Sequence, residues 1–405
     1  MRRLAVLSLH TSPLAQPGAG DGGGMNVYVR ELSSSLARAG VACDVYTRSW
    51  RRALPPTVEV EPGLRVHHVR AGPPHVVAKE ELPELVDVFT EAVLDRLQRP
   101  GHEPDLLHAN YWLSGVAGHA LKHELGLPLV STFHTLARVK ADATLEEEER
   151  RAKAEGQVIG CSDAILASSA DEAHQLEGLY GADPARIEIV PPGVDHDVFF
   201  PGDPARARAA LGLGKGPVLL FVGRIQPLKG ADVAVRALAA SSAPDAILVI
   251  VGGPSGPDGA SELRRVRALV AERGLSDRVR FVPPQPHDCL PDFYRAADVC
   301  LVPSRSESFG LVALEAAACG TPVVAAAVGG LRTLVIDGST GFLVEGRDPA
   351  AYADRVDRLL GNPGLAAEFG DAATCGAQRY CWSITAARLR RLYADLTARR
   401  PVECR

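Results

Sequence analysis

The chain has 405 residues, of which 46% are hydrophobic and 23% are charged, and both fractions are ordinary for folded globular proteins. At roughly 100–200 residues per domain, this length predicts two or three domains, and the composition excludes a disordered chain or a coiled coil. The 44 basic and 49 acidic residues give a formal net charge of -5. Bulk attraction to nucleic acid or to an anionic membrane is therefore not expected, although a local basic site stays open.

Short apolar segments alternate with amphipathic helical segments through the first half of the chain. The apolar run at the N-terminus has some features of a signal peptide. It is short and is interrupted by Ser8 and His10, so we interpret it as a buried strand. Strands without strict alternation that are separated by helices predict a parallel sheet covered on both faces. The predicted strands are 4–9, 42–48, 64–69, 105–109, 128–134, 164–169 and 187–193, with helices such as 26–38 and 84–98 between them.

The same pattern restarts after residues 191–204, a stretch rich in Pro, Gly and Asp that is typical of an interdomain connector. Further strands are predicted at 217–223, 246–253, 279–284, 299–304, 322–327 and 341–345. We therefore predict an α/β fold with two doubly wound, Rossmann-like domains facing a cleft, where strand ends and helix N-termini converge on a ligand. The predicted domains are 1–196 and 197–375, followed by a C-terminal segment, 376–405, in which 375–396 has the pattern of one long helix.

The eight cysteines contain no CxxC pair, and no Cys/His cluster has the spacing of a zinc site. We interpret them as ordinary buried or surface thiols, and a disulfide framework is not indicated. The longest apolar stretches are too short, or are broken by charge, Gly and Pro, to cross a bilayer, so a cytoplasmic protein is expected.

Two loops that follow predicted strands have the composition of anion-binding sites. In residues 17–40, three consecutive glycines from Gly22 allow close backbone approach, and the helix after them presents unpaired N–H groups, although a plain strand–helix turn has the same composition. In VGRIQPLKG, Arg224 and Lys229 follow a buried strand. Two such cations could hold a diphosphate without a metal, unless they are solvated surface charges.

Two further segments place polar side chains at a strand end or on an apolar helix. Ser308 is predicted to cap a helix that ends at Gly320, and Glu307 and Glu315, eight residues apart, then lie near one apolar stripe. A carboxylate there needs a partner, which ribose or sugar hydroxyls could supply, as could a buried structural pair. His134 lies where a strand ends and is either a structural hydrogen-bonding group or part of a site.

In order and spacing these four segments resemble the retaining GT-B glycosyltransferases that carry a Glu-x7-Glu motif, and the resemblance runs over nearly the whole chain. Within that family the chain is most similar to the inositol-phosphate glycosyltransferases of mycothiol biosynthesis. The similarity is carried by HTSPLAQPGAGDGGGMNVYVREL, VAKEELPELVDVF, NYWLSG, FHTLARVK, VGRIQPLKG, VGGPSGP and SRSESFGLVALEA.

The resemblance implies transfer of a sugar, N-acetylglucosamine from UDP-GlcNAc as the first choice, to a small polar acceptor, 1D-myo-inositol 3-phosphate as the first choice, with retention at the anomeric carbon. The catalytic residues that it implies are His134, Arg224, Lys229 and Glu307. The implied donor-binding residues are Gln16, Pro17, Gly24, Arg224, Lys229, Glu307 and Glu315. The implied acceptor-binding residues are His10, Asp21, Gly22, Gly23, Gly24, Met25, Asn26, Lys79, Tyr111, Thr135 and Arg151.

This chemistry requires no cofactor, and Mg²⁺ stays open as an ion held by the substrate phosphates. The resemblance also implies that the C-terminal helix of segment 376–405 crosses back to the N-terminal domain, and it is compatible with a homodimer. Three alternatives remain. The first is a related enzyme that uses another nucleotide sugar to glycosylate an aminocyclitol, a thiol or a sugar phosphate. The second is a sugar-nucleotide epimerase, and the third is a non-catalytic sensor. The Glu-x7-Glu segment together with GRIQPLKG argues against the epimerase, and the presence of Arg224, Lys229 and Glu307 argues against the sensor.

Overall fold

A computed structural model describes residues 1–18, 20, 22–140, 145–256 and 258–404, with the backbone alone for Lys140, Leu145 and Glu146. The chain divides into two compact units. Unit 1 comprises Met1–Ala15, Met25–Pro192 and Trp382–Arg405, and unit 2 comprises Gln16–Gly24 and Gly193–Cys381. The predicted boundaries after residues 196 and 375 thus lie a few residues from those of the two units, and the glycine-rich loop belongs to unit 2.

The strands form one sheet in each unit. They are β1 (Arg3–Leu7), β2 (Ala42–Arg48), β3 (Thr57–Glu61), β4 (Leu64–Val69), β5 (Leu106–Asn110), β6 (Leu129–Thr132), β7 (Ala164–Ala167), β8 (Ile187–Ile189), β9 (Val218–Val222), β10 (Ile247–Val251), β11 (Val279–Val282), β12 (Val299–Val302), β13 (Val323–Ala326) and β14 (Gly341–Val344). Unit 1 has the order β3-β4-β2-β1-β5-β6-β7-β8, and unit 2 has the order β11-β10-β9-β12-β13-β14.

The strand order of unit 2 is the 3-2-1-4-5-6 order of a Rossmann fold, and unit 1 contains the same order with additional strands. Neighbouring strands pair in parallel, except that β3 pairs antiparallel with β4. The predicted pair of doubly wound α/β units is confirmed. Strand β3 is not predicted from the sequence because this five-residue edge strand lies between prolines, at Pro56 and Pro62, and its residues are partly exposed.

The helices lie between the strands and after them. They are α1 (Gly24–Arg38), α2 (Val86–Leu97), α3 (Trp112–Leu125), α4 (Ala137–Lys140), α5 (Leu145–Cys161), α6 (Ala170–Tyr180), α7 (Pro204–Leu211), α8 (Ala231–Ala240), α9 (Gly259–Glu272), α10 (Leu290–Ala296), α11 (Leu311–Ala318), α12 (Leu331–Leu334), α13 (Pro349–Leu360), α14 (Pro363–Ala377) and α15 (Trp382–Thr397). No helix in the described ranges combines the length and the hydropathy that a bilayer crossing requires.

Alternate residues of a strand point to opposite faces of the sheet. In both units, apolar clusters pack against both faces. In β1, Leu4 and Val6 pack in one apolar cluster of unit 1, whereas Ala5 and Leu7 pack in the other. In unit 2 the residues of β9 divide between two clusters in the same way. Apart from the partly exposed Arg3 and Val222, the residues of β1 and β9 are buried, which explains the apolar sequence of these strands.

The prediction of one long helix over 375–396 is wrong. Helix α14 ends at Ala377 and α15 begins at Trp382, and between them the Tyr380 carbonyl oxygen accepts a hydrogen bond from the Val194 amide at 3.0 Å. This β-type contact takes the backbone out of the helical conformation, although the apolar spacing continues through it. The buried face of α15, which includes Trp382 and Leu389, belongs to the core of unit 1.

The cysteine prediction is also wrong for one pair. Cys161 and Cys404, which are 243 positions apart in sequence, are joined as a disulfide in the structure. The side chains of His119 and His123 lie beside the two sulfur atoms, so a Cys/His cluster exists in space although it is not compact in sequence.

Candidate functional site

The carboxyl ends of β9 and β12, which are adjacent in the sheet of unit 2, place Lys229 against Glu307. The Lys229 Nζ atom donates to Glu307 Oε2 at 2.6 Å, and the Ser304 hydroxyl lies 3.4 Å from the same oxygen. The two charged side chains are 23% and 18% exposed. An ammonium group has three donors, and that of Lys229 makes one hydrogen bond within the described part of the chain, so two donors remain for an anionic ligand.

The loop that carries Glu307 is not helical, and the prediction that Ser308 caps a helix is wrong. Helix α11 begins at Leu311 with Gly310 at its N-cap in the left-handed region, at φ 103°. The Gly330 amide donates to the Glu307 carbonyl at 3.0 Å and so helps to hold this loop in place. Glu307 therefore does not share a helical stripe with Glu315.

Glu315 is buried on α11, and both of its carboxylate oxygens have protein partners. His287 Nε2 lies 2.8 Å from Oε1, and the Tyr294 hydroxyl donates to Oε2 at 2.7 Å. Burial and the nearby carboxylate raise the pKa of Tyr294 well above its ordinary value, so the phenol stays protonated as a donor. A partner for this carboxylate was expected from the sequence, but His287 and Tyr294 could not be predicted, because neither has a spacing that connects it with α11.

The glycine-rich loop reaches the same strand ends as part of unit 2. A Cβ atom on Gly23 would lie 3.2 Å from Arg224 Nε, and one on Gly24 would lie 3.4 Å from a Leu311 methyl group, so the backbone passes directly along Arg224. Gln16 donates to the Pro284 carbonyl at 2.8 Å, which fixes the start of the loop beside β11. This packing brings five predicted donor-binding residues into one region, although they are far apart in sequence, namely Gln16, Gly24, Arg224, Lys229 and Glu307.

The remaining residues of this loop differ in how far the structure describes them. Pro17 lies in the same segment of unit 2, and the Gly22 carbonyl accepts from the Gly18 amide at 2.9 Å. Asp21, which the resemblance assigns to the acceptor, lies outside the described residues.

In unit 1, His134 follows β6 with its backbone in the left-handed region, at φ 61°. Its Nε2 lies 2.9 Å from the Asn110 amide oxygen, and the Tyr28 ring meets the imidazole edge-on at 4.9 Å. Burial, with a smaller contribution from His108, lowers the pKa of His134 to about 3. The side chain is therefore neutral at pH 7, and its Nε2 donates to Asn110, a partner that the sequence analysis missed.

Tyr111 is the second residue of unit 1 with a strained backbone, at φ 75°, and it precedes α3. Such a conformation is uncommon for a bulky residue and is found preferentially at functional sites. The His10 ring lies 4.8 Å from the Tyr111 ring, and the Arg151 guanidinium lies 5.1 Å from its centroid. Arg151 Nη2 also donates to the carbonyl and the hydroxyl oxygen of Thr135, at 2.6 and 3.1 Å. Four predicted acceptor-binding residues thus form one group.

Glu155 orients Arg151 within this group. The Arg151 Nε donates to Glu155 Oε1 at 2.7 Å, and Glu155 is fully buried while Arg151 is 13% exposed. The second Glu155 oxygen accepts from the Ala137 amide and from the Tyr180 hydroxyl. Among the described residues nothing bonds to Nη1 of Arg151. The i,i+4 spacing of Arg151 and Glu155 on α5 was a signal for this pair that the sequence analysis did not use.

The other predicted acceptor-binding residues have less specific surroundings. Asn26 is buried on α1 and donates to the Thr11 hydroxyl at 2.9 Å, one residue after His10. Met25 packs on the apolar core of unit 1. Lys79 begins a 3-10 turn, Lys79–Leu85, and its place in the acceptor site stays a prediction.

Two family models match the chain in succession. Residues 22–198 match the Glycosyltransferase Family 4 model, and residues 205–374 match the model of Glycosyl transferases group 1. Together they account for most of the two units.

Similar curated proteins cover nearly the whole chain. The D-inositol 3-phosphate glycosyltransferase of Acidothermus cellulolyticus is 50% identical over 412 residues, covering 98% of this chain and 91% of that protein. The protein of the same name from Geodermatophilus obscurus is 53% identical over 372 residues, covering 89% and 82% respectively.

Solved structures of glycosyltransferases also resemble this chain. Sucrose-phosphate synthase from Thermosynechococcus elongatus superimposes with a TM-score of 0.92 at 36% identity, covering 98% of this chain and 100% of the other. The Anabaena protein HepE, solved with UDP and glucose, has a TM-score of 0.79 at 19% identity, covering the same shares, and shows a common fold. The chain therefore belongs to the group 1 glycosyltransferases and is a glycosyltransferase with the GT-B architecture, as the sequence motifs predicted.

Proposed function

We propose that this enzyme transfers N-acetylglucosamine from UDP-GlcNAc to 1D-myo-inositol 3-phosphate, with retention at the anomeric carbon, as a step of mycothiol biosynthesis. The observation that carries the proposal is the arrangement of Arg151. Its guanidinium is fixed by buried Glu155 and by Thr135, yet Nη1 has no hydrogen bond within the described part of the chain. The high identity to proteins named D-inositol 3-phosphate glycosyltransferase supports a phosphorylated cyclitol as its ligand.

On the donor side, Arg224 and Lys229 hold the diphosphate. In the transition state the bond from the anomeric carbon to the phosphate oxygen breaks, and the leaving diphosphate takes the electron pair. Fixed cations that face this developing charge lower the barrier electrostatically. Lys229 is suited to the role because its contact with Glu307, at 2.6 Å, holds the ammonium in place.

On the acceptor side, Arg151, Thr135 and Tyr111 bind the phosphate, and a ring hydroxyl attacks the anomeric carbon. The proton of that hydroxyl passes to the departing phosphate oxygen, so no separate protein base is required. His134 is neutral and hydrogen-bonded to Asn110, which supports a positioning contact with the sugar rather than a role as a cation.

A screen of substrates tests the proposal directly. Purified enzyme is incubated with UDP-GlcNAc, UDP-glucose, GDP and ADP sugars against inositol 3-phosphate, inositol, an aminocyclitol, a thiol and a sugar phosphate, and products are detected by mass. We expect the N-acetylglucosaminyl inositol phosphate product, with the α-configuration of the donor by NMR. A preferred acceptor without phosphate would contradict the acceptor assignment, and release of free epimerised sugar or no turnover would favour the alternatives.

The phosphate role of Arg151 has a specific test. Arg151→Lys should raise the KM for inositol 3-phosphate, by roughly tenfold or more from the loss of about 1.5–3 kcal/mol of charge-assisted hydrogen bonding, with a smaller effect on kcat. Arg150→Lys is the matched control because Arg150 is the preceding residue on α5 and is exposed. An equal change in KM for unphosphorylated inositol would remove the phosphate assignment.

The homodimer, the cytoplasmic location and the lack of a required cofactor stay predictions. Light scattering, cell fractionation and activity with and without EDTA and added Mg²⁺ would test them.

A further inference from the structure

Outside both candidate sites, four side chains of unit 1 converge on one point of its surface. They are His119 and His123 of α3, Cys161 at the end of α5, and Cys404. Their ligand atoms all lie within 4.8 Å of one another, and the described part of the chain holds no other such group of His, Cys, Asp and Glu.

The packing of α3 against α5 explains why these residues meet. A Cβ on Gly115 would lie 2.9 Å from Val158, so the two helices approach closely there. His119 is one turn after Gly115 and Cys161 is one turn after Val158, which places both at the next level of the same contact. His123 follows His119 by four residues and therefore lies on the same helix face.

The segment that carries Cys404 is fixed beside this point by a buried ion pair. Lys122 donates to Asp163 at 2.6 Å and to the Cys161 carbonyl at 2.8 Å, and both charged side chains are 3% exposed. The other Asp163 oxygen accepts from the Val402 amide at 2.6 Å. The positions of Cys161 and Cys404 are thus set by the same lysine–aspartate pair.

We propose that these four residues, with the cysteines reduced, bind one Zn²⁺ ion. His123 Nε2 lies 3.0 Å from the Cys404 sulfur and 3.4 Å from the Cys161 sulfur, and His119 Nε2 lies 3.5 Å from the Cys404 sulfur. A tetrahedral zinc site with Zn–S of about 2.3 Å and Zn–N of about 2.0–2.1 Å places nitrogen and sulfur ligands roughly 3.5 Å apart. Two cysteine thiolates and two histidine imidazoles form one of the usual ligand sets of tetrahedral structural zinc sites.

The two histidines favour a zinc site over a purely structural disulfide at this position. A disulfide does not need two imidazole nitrogens directed at its sulfur atoms, whereas a tetrahedral metal needs four ligands. Binding displaces one proton from each thiol and requires neutral imidazoles. His123 and Cys404 are exposed, so the ion can reach the site from solvent. The ion would fasten the segment after α15 to α3 and α5.

The test uses the untagged full chain, reduced with a phosphine and freed of excess metal by gel filtration. We expect about one zinc per chain by elemental analysis. Cobalt should give the visible bands of a tetrahedral ion and a thiolate charge-transfer band. Cys404→Ser and His123→Ala should lose most of the metal and these bands. Cys375→Ser and His174→Ala, which change exposed residues elsewhere, should keep both.

Stability gives a second readout. Zinc should raise the melting temperature of the reduced wild type relative to chelator-treated protein, and Cys404→Ser should abolish this difference, because an ion that binds the folded state alone stabilises it. The proposal is overturned if reduced protein retains no zinc, if Cys404→Ser and His123→Ala retain as much as the wild type, or if alkylation and mass spectrometry find the Cys161–Cys404 bond intact under the same reducing conditions.

Discussion

At the scale of single residues, several charged side chains of the two candidate sites are each held by a second polar group. Lys229 pairs with Glu307, and Arg151 pairs with buried Glu155. Glu315 is held by a histidine and a tyrosine. Orientation by a neighbouring group lowers the reorganisation needed when charge develops on a ligand, which is the main requirement for electrostatic catalysis.

Lys229→Ala should lower kcat by about 10²–10³-fold, the usual effect of removing one group that stabilises transition-state charge. The fold should survive because Lys229 is partly exposed and lies in a loop. Steady-state kinetics with UDP-GlcNAc, together with circular dichroism, check both expectations. Lys215→Ala, at an exposed position before β9, is the control. A kcat within a factor of about two of the wild type would refute the leaving-group role.

His108 gives a pH-dependent stability. This side chain is fully buried, lies 2.8 Å from the Thr132 hydroxyl and 2.9 Å from the Tyr393 hydroxyl, and burial lowers its pKa to about 3. In the unfolded chain His108 takes up a proton near pH 6.5, whereas in the folded chain it does so only near pH 3. The free energy of unfolding should therefore decrease as the pH falls from about 6.5 toward 3, by up to about 1.4 kcal/mol per pH unit for each such histidine.

Urea unfolding between pH 7 and pH 4 measures this effect. His108→Gln should lose less stability than the wild type over that range, because glutamine does not titrate. His174→Gln, at an exposed histidine, should follow the wild type. If the buried and exposed variants had the same pH dependence, His108 would not be the group responsible.

The sequence alone suggests the candidate site residues, but it does not suggest their hydrogen-bond partners. Arg224, Lys229 and Glu307 follow strand ends in segments with a recognisable order, so they could be named without coordinates. Asn110 and His287 could not, since a partner that comes from another strand or turn is specified by tertiary packing alone. His119 and His123 did leave a signal, a pair four residues apart, but Cys161 and Cys404 are too far away in sequence to complete it.

At the scale of elements, the loop between β9 and α8 depends on a glycine in the left-handed conformation. Gly230 has φ 78°, and a Cβ atom there would overlap the Pro303 carbonyl oxygen on the neighbouring β12 loop. This close approach brings the loop of Lys229 to the loop of Glu307. The apolar sequence of β9 and β12 predicts that these strands are parallel. The sequence does not predict the irregular loop before α11, because the conformation of that loop depends on the backbone of Gly329 and Gly330.

Gly230→Ala should reduce both stability and kcat because the added methyl group forces the two loops apart. Gly212→Ala is the matched control, since Gly212 also has a left-handed backbone, at φ 61°, but has open space around it. The control should cost about 1–2 kcal/mol from backbone strain and leave kcat unchanged. Equal effects of the two variants on kcat, measured beside urea unfolding, would show that the contact with Pro303 does not position Lys229.

At the scale of the whole molecule, unit 1 is assembled from separate segments, with most of unit 2 between the second and the third. Leu389 of α15 is fully buried in the unit 1 core, so Leu389→Ala should destabilise that unit by about 2–5 kcal/mol. In this variant the rate of amide hydrogen exchange should rise in β1 and β2 and stay unchanged in β9 and β10. Ile384→Ala, at a 47% exposed position of the same helix, should have little effect. Faster exchange in unit 2 alone would contradict this assignment.

The placement of α15 also fixes an order of events during synthesis. Translation produces β1–β8 early, but α15, which covers one face of their sheet together with α1, is made after every strand of unit 2. The half of the protein that the ribosome begins first is therefore the half that reaches its native state last, and it must keep the apolar surface around Leu4 and Val6 from aggregating until Trp382 and Leu389 arrive.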